Sequence, residues 1–534
     1  MSAGFREILL RKKEDVGRHG ESIGARPGGV NGARKCYRRK PMPPATTLAA
    51  LLERQARLRP HALAVVSEPS GKALTYAELA AGARARGGLL RRAGVKPGDR
   101  AAVALPNEPE ALLWFFGAAY AGAVPATMDR RLAPPEARAF AERAGLAAVI
   151  AEPAQRASWP GLSRVCLVLG PGGRPLGRRR ARPAPRPAFP EALVFQTSGT
   201  TGAPKGVAIE GRALDRRLDR AARALELDGS RALLCLLPLA HGTFHPVLGA
   251  LRAGATLVLC PPFDLALLAR LDEIVARRAV GAVHLTPAIA RDWARWRLSR
   301  RAGPSTLRLA TCTSAPLEAG VGASFRKAFG IPLRDCYGLK ETGFLAIAAA
   351  RRPSRPVSLW SELKALGPKG RPLKAGLAGD LALRVGRRPP FAYLGAPELT
   401  AARFRDGWYL TGDRGSVGPD GGVRLRGRSS DVINCGGLKI DPAEIERVLE
   451  SHPGVREAAA YAVADASVGQ RPAACVVASG GAAGRLAREL EAHCRGRLAA
   501  FKRPAVIRVV DAIPRTSLGK VRRGELARGG AKNL

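Results

Sequence analysis

The sequence contains no pair of cysteines in the CxxC spacing that zinc sites and redox-active disulfides use. Its nine cysteines are an odd number and lie far apart along the 534 residues. This pattern predicts neither a zinc site nor a disulfide framework, and it suits a protein that works in a reducing compartment. We therefore expect a cytoplasmic location.

Acidic residues are scarce, since 44 Asp and Glu stand against 87 Lys and Arg and leave a formal net charge of +43. A surplus of cations attracts nucleic acids, acidic proteins and anionic substrates. In this chain the cations are mostly arginine and are spread over the whole length, which favours compositional drift over a nucleic-acid site. Nucleic acid is therefore disfavoured as a partner, whereas anionic substrates suit the charge.

No hydrophobic run stands out as a membrane span. The apolar stretch over residues 111–128, ALLWFFGAAYAGAVPATM, has no charged residue and is of transmembrane length. Its second half, however, is rich in Gly, Pro and other small residues. The run therefore predicts a buried helix that leads into a buried strand. Peripheral contact with a membrane stays open, as does the oligomeric state.

The rest of the composition is ordinary for a globular protein, with 46% hydrophobic and 25% charged residues. Amphipathic helical patterns over 46–58 and 74–95, followed by an apolar strand pattern over 100–106, begin an alternation that continues to about residue 280. Such alternation predicts α/β layers with parallel strands. Residues 171–190, rich in Pro, Gly and Arg, predict a surface loop.

Three segments are expected along the chain. Residues 1–43 carry many cations and no sustained apolar period, which predicts a disordered basic arm or a misassigned start. Residues 44–426 form the large α/β domain of layered sheets and helices. Residues 427–534 form a smaller α+β domain, with the predicted order strand, helix, two strands, helix and strand.

The strongest local signal is the run FQTSGTTGAPKGVAI at residues 195–209, where hydroxyl residues and glycines follow an apolar strand. Gly199, Gly202 and Gly206 permit close approach of the main chain, so amides and hydroxyls can surround a polyphosphate. Lys205 adds a point charge. The run lacks the GxxxxGK[ST] pattern of a P-loop, yet it still predicts a phosphate-binding loop.

This run closely resembles the phosphate loop of the adenylate-forming superfamily, which includes acyl-CoA synthetases, adenylation domains of peptide synthetases and luciferases. Similar motifs follow in the order of that superfamily: LPLAHGTFHPVLGALRAGATLVL at 237–259, CYGLKETG at 336–343, YLTGDRG at 409–415, GRSSDVINCGGLKIDPAEIE at 427–446 and PRTSLGKVRR at 514–523. The resemblance implies a large AMP-binding α/β domain and a smaller, mobile C-terminal lid domain that carries a catalytic lysine.

The resemblance also implies the chemistry, in which ATP converts a carboxylic acid to an acyl-adenylate and pyrophosphate leaves. Lys520, Glu341, Thr201 and His241 would be the catalytic residues. Glu341 and Thr201 would also ligate Mg²⁺, a hard cation that prefers oxygen ligands. The residues that would bind the nucleotide or coenzyme are Thr197, Ser198, Gly199, Thr200, Gly202, Lys205, Ser314, Ala315, Pro316, Tyr337, Gly338, Lys340, Asp413, Arg428, Gly436, Gly437 and Lys439.

Several of these residues have definite tasks by resemblance. Tyr337 would stack on adenine, and Asp413, supported by Arg428, would accept both ribose hydroxyls. In the second half-reaction the small domain would rotate and present a tunnel for pantetheine. Gly436 and Gly437 suit that tunnel because a thin arm needs backbone without side chains. The implied acceptor is coenzyme A or the phosphopantetheine of a carrier protein.

Two positions depart from the pattern of the superfamily. Position 340 is Lys where Thr is usual, and position 430 is Ser where a hinge Asp or Lys is usual. Lys340 could contact the α-phosphate through its charge, or it could disturb Mg²⁺ binding beside Glu341. Ser430 can still act as a hinge, because the demand is on backbone torsion.

The substrate is expected to be a fatty or aryl acid. Amino-acid-activating relatives place an Asp near position 241, whereas this chain has His241 with the apolar neighbours Phe244, Val247 and Leu248. Cys312 and Gly338 add to a mainly apolar pocket. An α-amino acid is therefore disfavoured.

The favoured interpretation is an acyl-CoA synthetase. The runner-up is an acyl–carrier-protein ligase, in which the basic surface would meet an acidic carrier. A catalytically impaired basic binding or scaffold protein is the alternative from a different class, and it would explain the net charge and Lys340 together. If the protein were such a scaffold, its affinity for nucleic acid would fall steeply as the salt concentration rises and would not depend on ATP.

Overall fold

The computed structural model describes residues 48–173, 187–197, 204–240, 244–314, 317, 319–352, 355–428, 431, 433–435, 438–465, 469–480, 483–495, 497–498, 500–515 and 521–530. The predicted basic arm and most of the predicted loop over 171–190 lie outside these residues. No helix in the described part of the chain combines the length and the apolarity that crossing a bilayer requires.

Helices and strands alternate along much of the chain. The strands are β1 (Leu63–Ser67), β2 (Ala73–Thr75), β3 (Arg100–Ala104), β4 (Val124–Thr127), β5 (Leu146–Ala151), β6 (Leu167–Leu169), β7 (Glu191–Thr197), β8 (Lys205–Glu210), β9 (Ala232–Cys235), β10 (Leu257–Leu259), β11 (Val280–Leu285), β12 (Leu309–Cys312), β13 (Leu333–Leu339), β14 (Gly343–Ala348), β15 (Pro356–Ser358), β16 (Leu363–Leu366), β17 (Ala378–Arg384), β18 (Phe391–Leu394), β19 (Phe404–Arg405), β20 (Trp408–Val417), β21 (Val423–Arg428), β22 (Ile433–Cys435), β23 (Leu438–Ile440), β24 (Val455–Asp465), β25 (Gly469–Ala478) and β26 (Ile507–Val509). The helices are α1 (Leu48–Leu58), α2 (Tyr76–Arg92), α3 (Pro109–Tyr120), α4 (Pro134–Ala144), α5 (Pro153–Ser158), α6 (Gly211–Ala224), α7 (Phe244–Ala253), α8 (Leu265–Arg277), α9 (Pro287–Ser299), α10 (Ala319–Phe329), α11 (Pro397–Arg403), α12 (Pro442–Glu450), α13 (Ala483–Arg495) and α14 (Arg523–Gly530), with short 3₁₀ turns at Leu162–Arg164 and Ala500–Lys502.

Three sheets build the large domain within the described residues. The nine-stranded sheet has the order β15-β14-β13-β12-β11-β9-β10-β1-β2, and the seven-stranded sheet has the order β18-β8-β7-β4-β3-β5-β6. The centre of each consists of parallel strands, as the alternation of helices and strands predicts. The third sheet has the order β16-β17-β20-β19, with β21 paired to β20 in antiparallel fashion.

Both faces of the large sheets are covered by apolar side chains. On β5, Ala148 and Ile150 face a core that α2, α3, α6 and α7 share with the nine-stranded sheet. Val149 and Ala151, which alternate with them, face a second core that includes α4. The outer face of the nine-stranded sheet packs against α8, α9 and α10. Strands buried on both faces need continuous apolar sequence, which is what these strands have.

The predicted buried helix and strand over residues 111–128 are confirmed as α3 and β4. The helix predicted over 74–95 is α2, and its start is set by a capping box. The hydroxyl of Thr75 accepts from the N–H of Glu78 at 3.2 Å, and the Glu78 carboxylate accepts from the N–H of Thr75 at 2.8 Å. The alternation runs past residue 280 and continues to β13.

The smaller C-terminal domain has its own sheet, in the order β23-β22-β25-β24 with β26 beside β25. Side chains of α12 and α13 pack with this sheet into a separate core. The predicted strands and helices correspond to β22, α12, β24, β25, α13 and β26. The sequence did not predict β23, which is only three residues long, or α14, which lies at the end of the described chain.

A buried ion pair joins two strands of the seven-stranded sheet. Arg100 begins β3, and its guanidinium contacts both carboxylate oxygens of Glu191, the first residue of β7, at 2.7 and 2.5 Å. Its third nitrogen donates to the carbonyl of Ala144 at 2.7 Å. The two charged side chains are only 4% and 6% exposed, so each depends on the other to offset its desolvation.

Replacing Arg100 with Met should lower the free energy of unfolding by roughly 3–5 kcal/mol, because Glu191 would remain buried without its counter-charge. Urea unfolding followed by tryptophan fluorescence suits this measurement, since all six tryptophans precede residue 427. The double variant Arg100→Met/Glu191→Leu should recover most of the loss. A double variant as unstable as the single one would contradict the role of the uncompensated charge.

Candidate active site

A tight hairpin between β13 and β14 carries the predicted catalytic glutamate. Leu339 pairs with Gly343, so Lys340, Glu341 and Thr342 form the loop. The N–H of Thr342 donates to the carbonyl of Leu339 at 3.3 Å, and Gly343 has φ +70°. A turn followed by a left-handed residue is a common three-residue hairpin loop, and Gly adopts that conformation without strain. The loop therefore fixes the position of Glu341.

The main chain beside this hairpin is packed closely. A Cβ atom at Gly338 would lie 2.7 Å from the carbonyl oxygen of Gly343, so a side chain there would require a backbone shift. Ser314, just after β12, has φ +83°, a conformation that is strained for a non-glycine residue. The hydroxyl of its neighbour Thr313 donates to the carbonyl of Cys336 at 3.1 Å and ties the end of β12 to β13.

Glu341 is held by a tyrosine from another sheet. The hydroxyl of Tyr393, on β18, donates to Glu341 Oε1 at 2.9 Å, and it lies 3.3 Å from the hydroxyl of Tyr409 on β20. Burial, together with the adjacent Glu341 carboxylate, raises the pKa of Tyr393 far above its usual value. Tyr393 therefore stays protonated and acts as a donor. Sequence reasoning missed both tyrosines, because neither stood out in a motif as a partner of the glutamate.

Arg217 on α6 is a second residue that the sequence did not reveal. Its side chain is buried, with the guanidinium carbon 5.4 Å from the centre of the Phe391 ring. Burial lowers the pKa of Arg217 to about 9, and the nearby Glu341 carboxylate opposes that change. Arg217 is therefore cationic at neutral pH. Among the described residues its Nη1 atom has no hydrogen-bond partner.

The two residues predicted to bind the nucleoside lie against each other. The hydroxyl of Tyr337 donates to Asp413 Oδ2 at 2.7 Å, and both side chains are buried. The N–H of Asp413 donates to the hydroxyl of Thr411 at 3.1 Å. Arg428 stands opposite Asp413 in the β20–β21 pair. A tyrosine ring, a carboxylate and the end of a strand therefore meet at one place.

The base of the predicted phosphate loop is an antiparallel hairpin of β7 and β8. Thr197 pairs with Lys205, and its hydroxyl donates to the Lys205 carbonyl at 3.3 Å. This base lies close to the β13–β14 hairpin, because the ammonium of Lys340 donates to the carbonyl of Gln196. The structure therefore brings the phosphate-loop base and the Glu341 hairpin together.

The apolar residues predicted for the pocket are buried in two different cores. Phe244 begins α7, and its ring lies 4.5 Å from that of Phe115 and 6.4 Å from that of Phe195, measured between centroids. Val247 is also buried, and Cys312 is fully buried at the end of β12. Phe244 and Val247 belong to the core that α7 shares with the large sheets, whereas Cys312 belongs to the core on the outer face of the nine-stranded sheet.

In the small domain, the loop that carries Lys520 is closed at its base by a bridge between Arg515 and Val521. Arg523, just beyond it, contacts Asp431 Oδ2 at 3.0 Å and Glu446 Oε1 at 2.5 Å. It also donates to the carbonyl of Ala460 at 2.9 Å. Arg523 therefore ties this base to the segment just after the predicted hinge.

Many predicted site residues lie outside the described part of the chain. These are Ser198, Gly199, Thr200, Thr201, Gly202, His241, Ala315, Pro316, Ser430, Gly436, Gly437 and Lys520. For Arg428 and Lys439 the structure describes the main chain, in β21 and β23, but not the side chains. Over the described ranges, no three His, Cys, Asp or Glu side chains are grouped so that they could hold a metal ion.

Asp335 is a further acidic residue close to the site. It lies on β13 two residues before Tyr337, opposite Cys312 on β12. Burial raises the pKa of Asp335 to about 6, and a hydrogen bond from the Cys336 main chain only partly opposes this change. The folded protein thus binds a proton at Asp335 more readily than an exposed aspartate would.

The chain is similar to known proteins along most of its length. Residues 52–386 match the family of AMP-binding enzymes, and residues 444–520 match the AMP-binding enzyme C-terminal domain. A feruloyl-CoA synthase from Amycolatopsis sp is 32% identical over 488 residues, 89% of this chain and 97% of that protein. A 4-chlorobenzoate–CoA ligase from Arthrobacter sp is 32% identical over 506 residues, 90% and 94% of the two chains. ATP-bound MatB from Rhodopseudomonas palustris has a similar structure, with TM-score 0.78 and 26% identity over 91% and 98% of the chains.

The raised pKa of Asp335 predicts a specific pH dependence. The pKa of this aspartate is ordinarily 3.8 and is about 6 in the folded protein. The free energy of unfolding should therefore fall as pH rises from about 4 to about 6, and it should stay at the lower value above pH 6. Asp335→Asn should raise stability at pH 7, by at most about 3 kcal/mol, and reduce the difference between pH 5 and pH 7. Urea midpoints at both pH values test this, with the exposed Asp406→Asn as control. An unchanged pH difference in Asp335→Asn would contradict it.

Proposed function

Because this chain belongs to the family of AMP-binding enzymes, we propose that it activates a carboxylic acid with ATP and transfers the acyl group to the thiol of coenzyme A. In the first step a carboxylate oxygen attacks the α-phosphorus of ATP, which gives an acyl-adenylate and releases pyrophosphate. In the second step the thiol attacks the acyl carbon, loses its proton and displaces AMP.

One observation carries this proposal. Hydrogen bonds bring the Glu341 hairpin together with Tyr393, with Asp413 and with the base of the phosphate loop. We assign Asp413 to the ribose hydroxyls, since an ionised carboxylate accepts two hydrogen bonds well. The ring of Tyr337 then takes the adenine. Its hydroxyl, which donates to Asp413 at 2.7 Å, orients the carboxylate.

The phosphates require cations and positioned donors, because the transition state gathers charge at the α-phosphate. We assign this task to the hydroxyl and glycine residues of the loop, to Lys205 and to Lys520. Lys520 would neutralise the carboxylate and α-phosphate oxygens as they approach each other. A lysine ammonium suits this task, because it is a compact point charge on a flexible stem.

The residues present fit a magnesium ion. Glu341 offers a hard carboxylate ligand, and its orientation is fixed by the hydroxyl of Tyr393 at 2.9 Å. Mg²⁺ in such enzymes is usually held by one or two carboxylates together with substrate phosphates. Glu341, with the hydroxyl of Thr201, would hold the ion. When bound, it would neutralise charge on the ATP phosphates.

Transfer to the thiol is assigned to a movement of the small domain. The sequence places the boundary between residues 426 and 427, whereas the change of sheet falls slightly later, between Arg428 at the end of β21 and Ile433 at the start of β22. The two separate family matches agree with a division in this part of the chain. Rotation about a few residues between domains is a usual closing motion. Gly436 and Gly437 would line the path of pantetheine, with Lys439 close to them.

Among carboxylic acids we favour an aryl acid. The feruloyl-CoA synthase and the 4-chlorobenzoate–CoA ligase to which the chain is similar are named for aryl substrates. The apolar surroundings of α7, with Phe244 and Val247, suit an apolar acyl group better than a charged one. A fatty acid is the second choice within the same class.

A carrier protein is the alternative acceptor. The net charge of +43 and the exposed Arg212, Arg216 and Arg223 on α6 favour an acidic partner. Adding coenzyme A and a phosphopantetheinylated carrier protein in parallel reactions separates the two acceptors. Thioester formation on the carrier alone would replace coenzyme A in this proposal.

Acid-dependent exchange between ATP and pyrophosphate tests the first half-reaction. Across a panel of aryl, fatty and amino acids, exchange should appear with aryl acids. Lys520→Ala should lower it roughly 100-fold or more, because a positioned charge in the transition state is lost. The same variant should still convert synthetic acyl-adenylate and coenzyme A to the thioester. Exchange that survives in Lys520→Ala would overturn the role given to this lysine.

Tyr393→Phe tests the support of the metal ligand. Loss of the hydroxyl that orients Glu341 should weaken Mg²⁺ binding by roughly 10–100-fold. The measurement is the Mg²⁺ dependence of ATP binding by calorimetry without any acid. Glu341→Gln serves as the reference for complete loss of the carboxylate charge. Binding in Tyr393→Phe that keeps the wild-type Mg²⁺ dependence would exclude this supporting role.

A further inference from the structure

Lys340 stands where the superfamily that the sequence resembles usually has Thr. It is the first residue of the β13–β14 hairpin loop, beside Glu341. Its ammonium donates hydrogen bonds to two main-chain carbonyls, that of Gln196 and that of Ala240, the second at 3.5 Å. Its side chain therefore bridges two segments that are distant in sequence.

These two segments serve different substrates in the proposed function. Gln196 lies in β7, immediately before Thr197, the first hydroxyl residue of the predicted phosphate loop. Ala240 immediately precedes His241 and the helix α7 of the expected acyl pocket. One ammonium thus contacts the start of the ATP subsite and the start of the acid subsite.

A threonine joins the same two residues that the ammonium contacts. The hydroxyl of Thr127, the last residue of β4, accepts from the N–H of Gln196 at 3.3 Å and donates to the carbonyl of Ala240 at 3.4 Å. The side chain of Gln196 accepts from the N–H of Asp129 at 2.6 Å. Thr127 and Gln196 are buried, and hydrogen bonds reinforce one another where water is excluded.

A lysine suits this place better than the usual threonine. Its ammonium carries three donors on a long stem, so it can satisfy two carbonyls at once. The charge strengthens both bonds relative to those of a neutral hydroxyl. A threonine hydroxyl sits on Cβ and offers a single donor, so it could not join both carbonyls from the hairpin.

We propose that Lys340 is a positioning residue that ties the start of the phosphate loop to the segment before His241 and so fixes the ATP and acid subsites relative to each other. The names of the two subsites rest on the proposed function, whereas the tie itself rests on the contacts of Lys340 with Gln196 and Ala240. The lysine at position 340, where threonine is usual, would then stabilise the arrangement of the site.

Hydrogen exchange of the ligand-free protein tests the tie directly. In Lys340→Met, amides in peptides that contain residues 190–205 and 236–247 should both exchange roughly tenfold faster or more, because charge-assisted bonds to both segments are lost. Lys327→Met, which removes an exposed lysine of α10, should leave both peptides unchanged. Lys340→Thr is the second variant. It introduces the smaller residue usual in the superfamily, so it keeps the test valid if the methionine variant fails to fold.

Binding measurements distinguish a Lys340 that holds the two segments together from a Lys340 that contacts a phosphate of ATP. A tie predicts that Lys340→Met and Lys340→Thr weaken binding of ATP and of the acid, each measured alone, several-fold. A different result would contradict the positioning role and make Lys340 a phosphate ligand: weaker binding of ATP and pyrophosphate, unchanged binding of the acid, and unchanged hydrogen exchange in the ligand-free protein. If the wild-type protein shows no acid-dependent exchange between ATP and pyrophosphate, the proposed function is contradicted. The hydrogen-exchange test of the link that Lys340 makes between the two segments stays valid in that case.

Discussion

Three sheets of the large domain meet at the β13–β14 hairpin, and a few hydrogen bonds hold them there. Glu341 at the hairpin tip accepts from Tyr393 of the seven-stranded sheet. Tyr337 at the hairpin base donates to Asp413 of the five-stranded sheet. Each bond joins side chains that are buried or partly buried, where an unmade hydrogen bond costs more than in water. If one sheet shifted, Tyr337, Asp413 and Glu341 would lose their common geometry.

The sequence predicted the fold class because the periods of its helices and strands are clear. Residues 111–128 show why: their small and apolar residues predict a buried helix and strand, and α3 and β4 occupy that place. The order of the motifs identified the family in the same way. Neither the periodicity nor the order of the motifs predicted which side chains are in contact. Tyr393, for example, is 52 residues from Glu341 along the chain, and no local pattern links the two residues.

Arg217 shows a second limit of sequence reasoning. α6 carries five arginines in 14 residues, a pattern that is typical of a solvated face. Yet Arg217 is buried beside Glu341, and Arg100, Arg252 and Arg297 are buried elsewhere with carboxylate partners. Part of the large positive charge therefore serves the interior of the protein. Net charge alone could not distinguish these internal cations from a surface that binds nucleic acid.

The contacts of Arg523 determine where this chain can be cut and joined to a relative. Its guanidinium links Asp431, at the start of the small domain, to Glu446 on α12 and to the base of the Lys520 loop. A chimaera joined between residues 431 and 446 would take position 431 from one parent and Arg523 from the other, so the contact between Arg523 and Asp431 would depend on both parents. A junction before Asp431 keeps all partners from the same parent, so the lysine loop and its anchor are inherited as one unit.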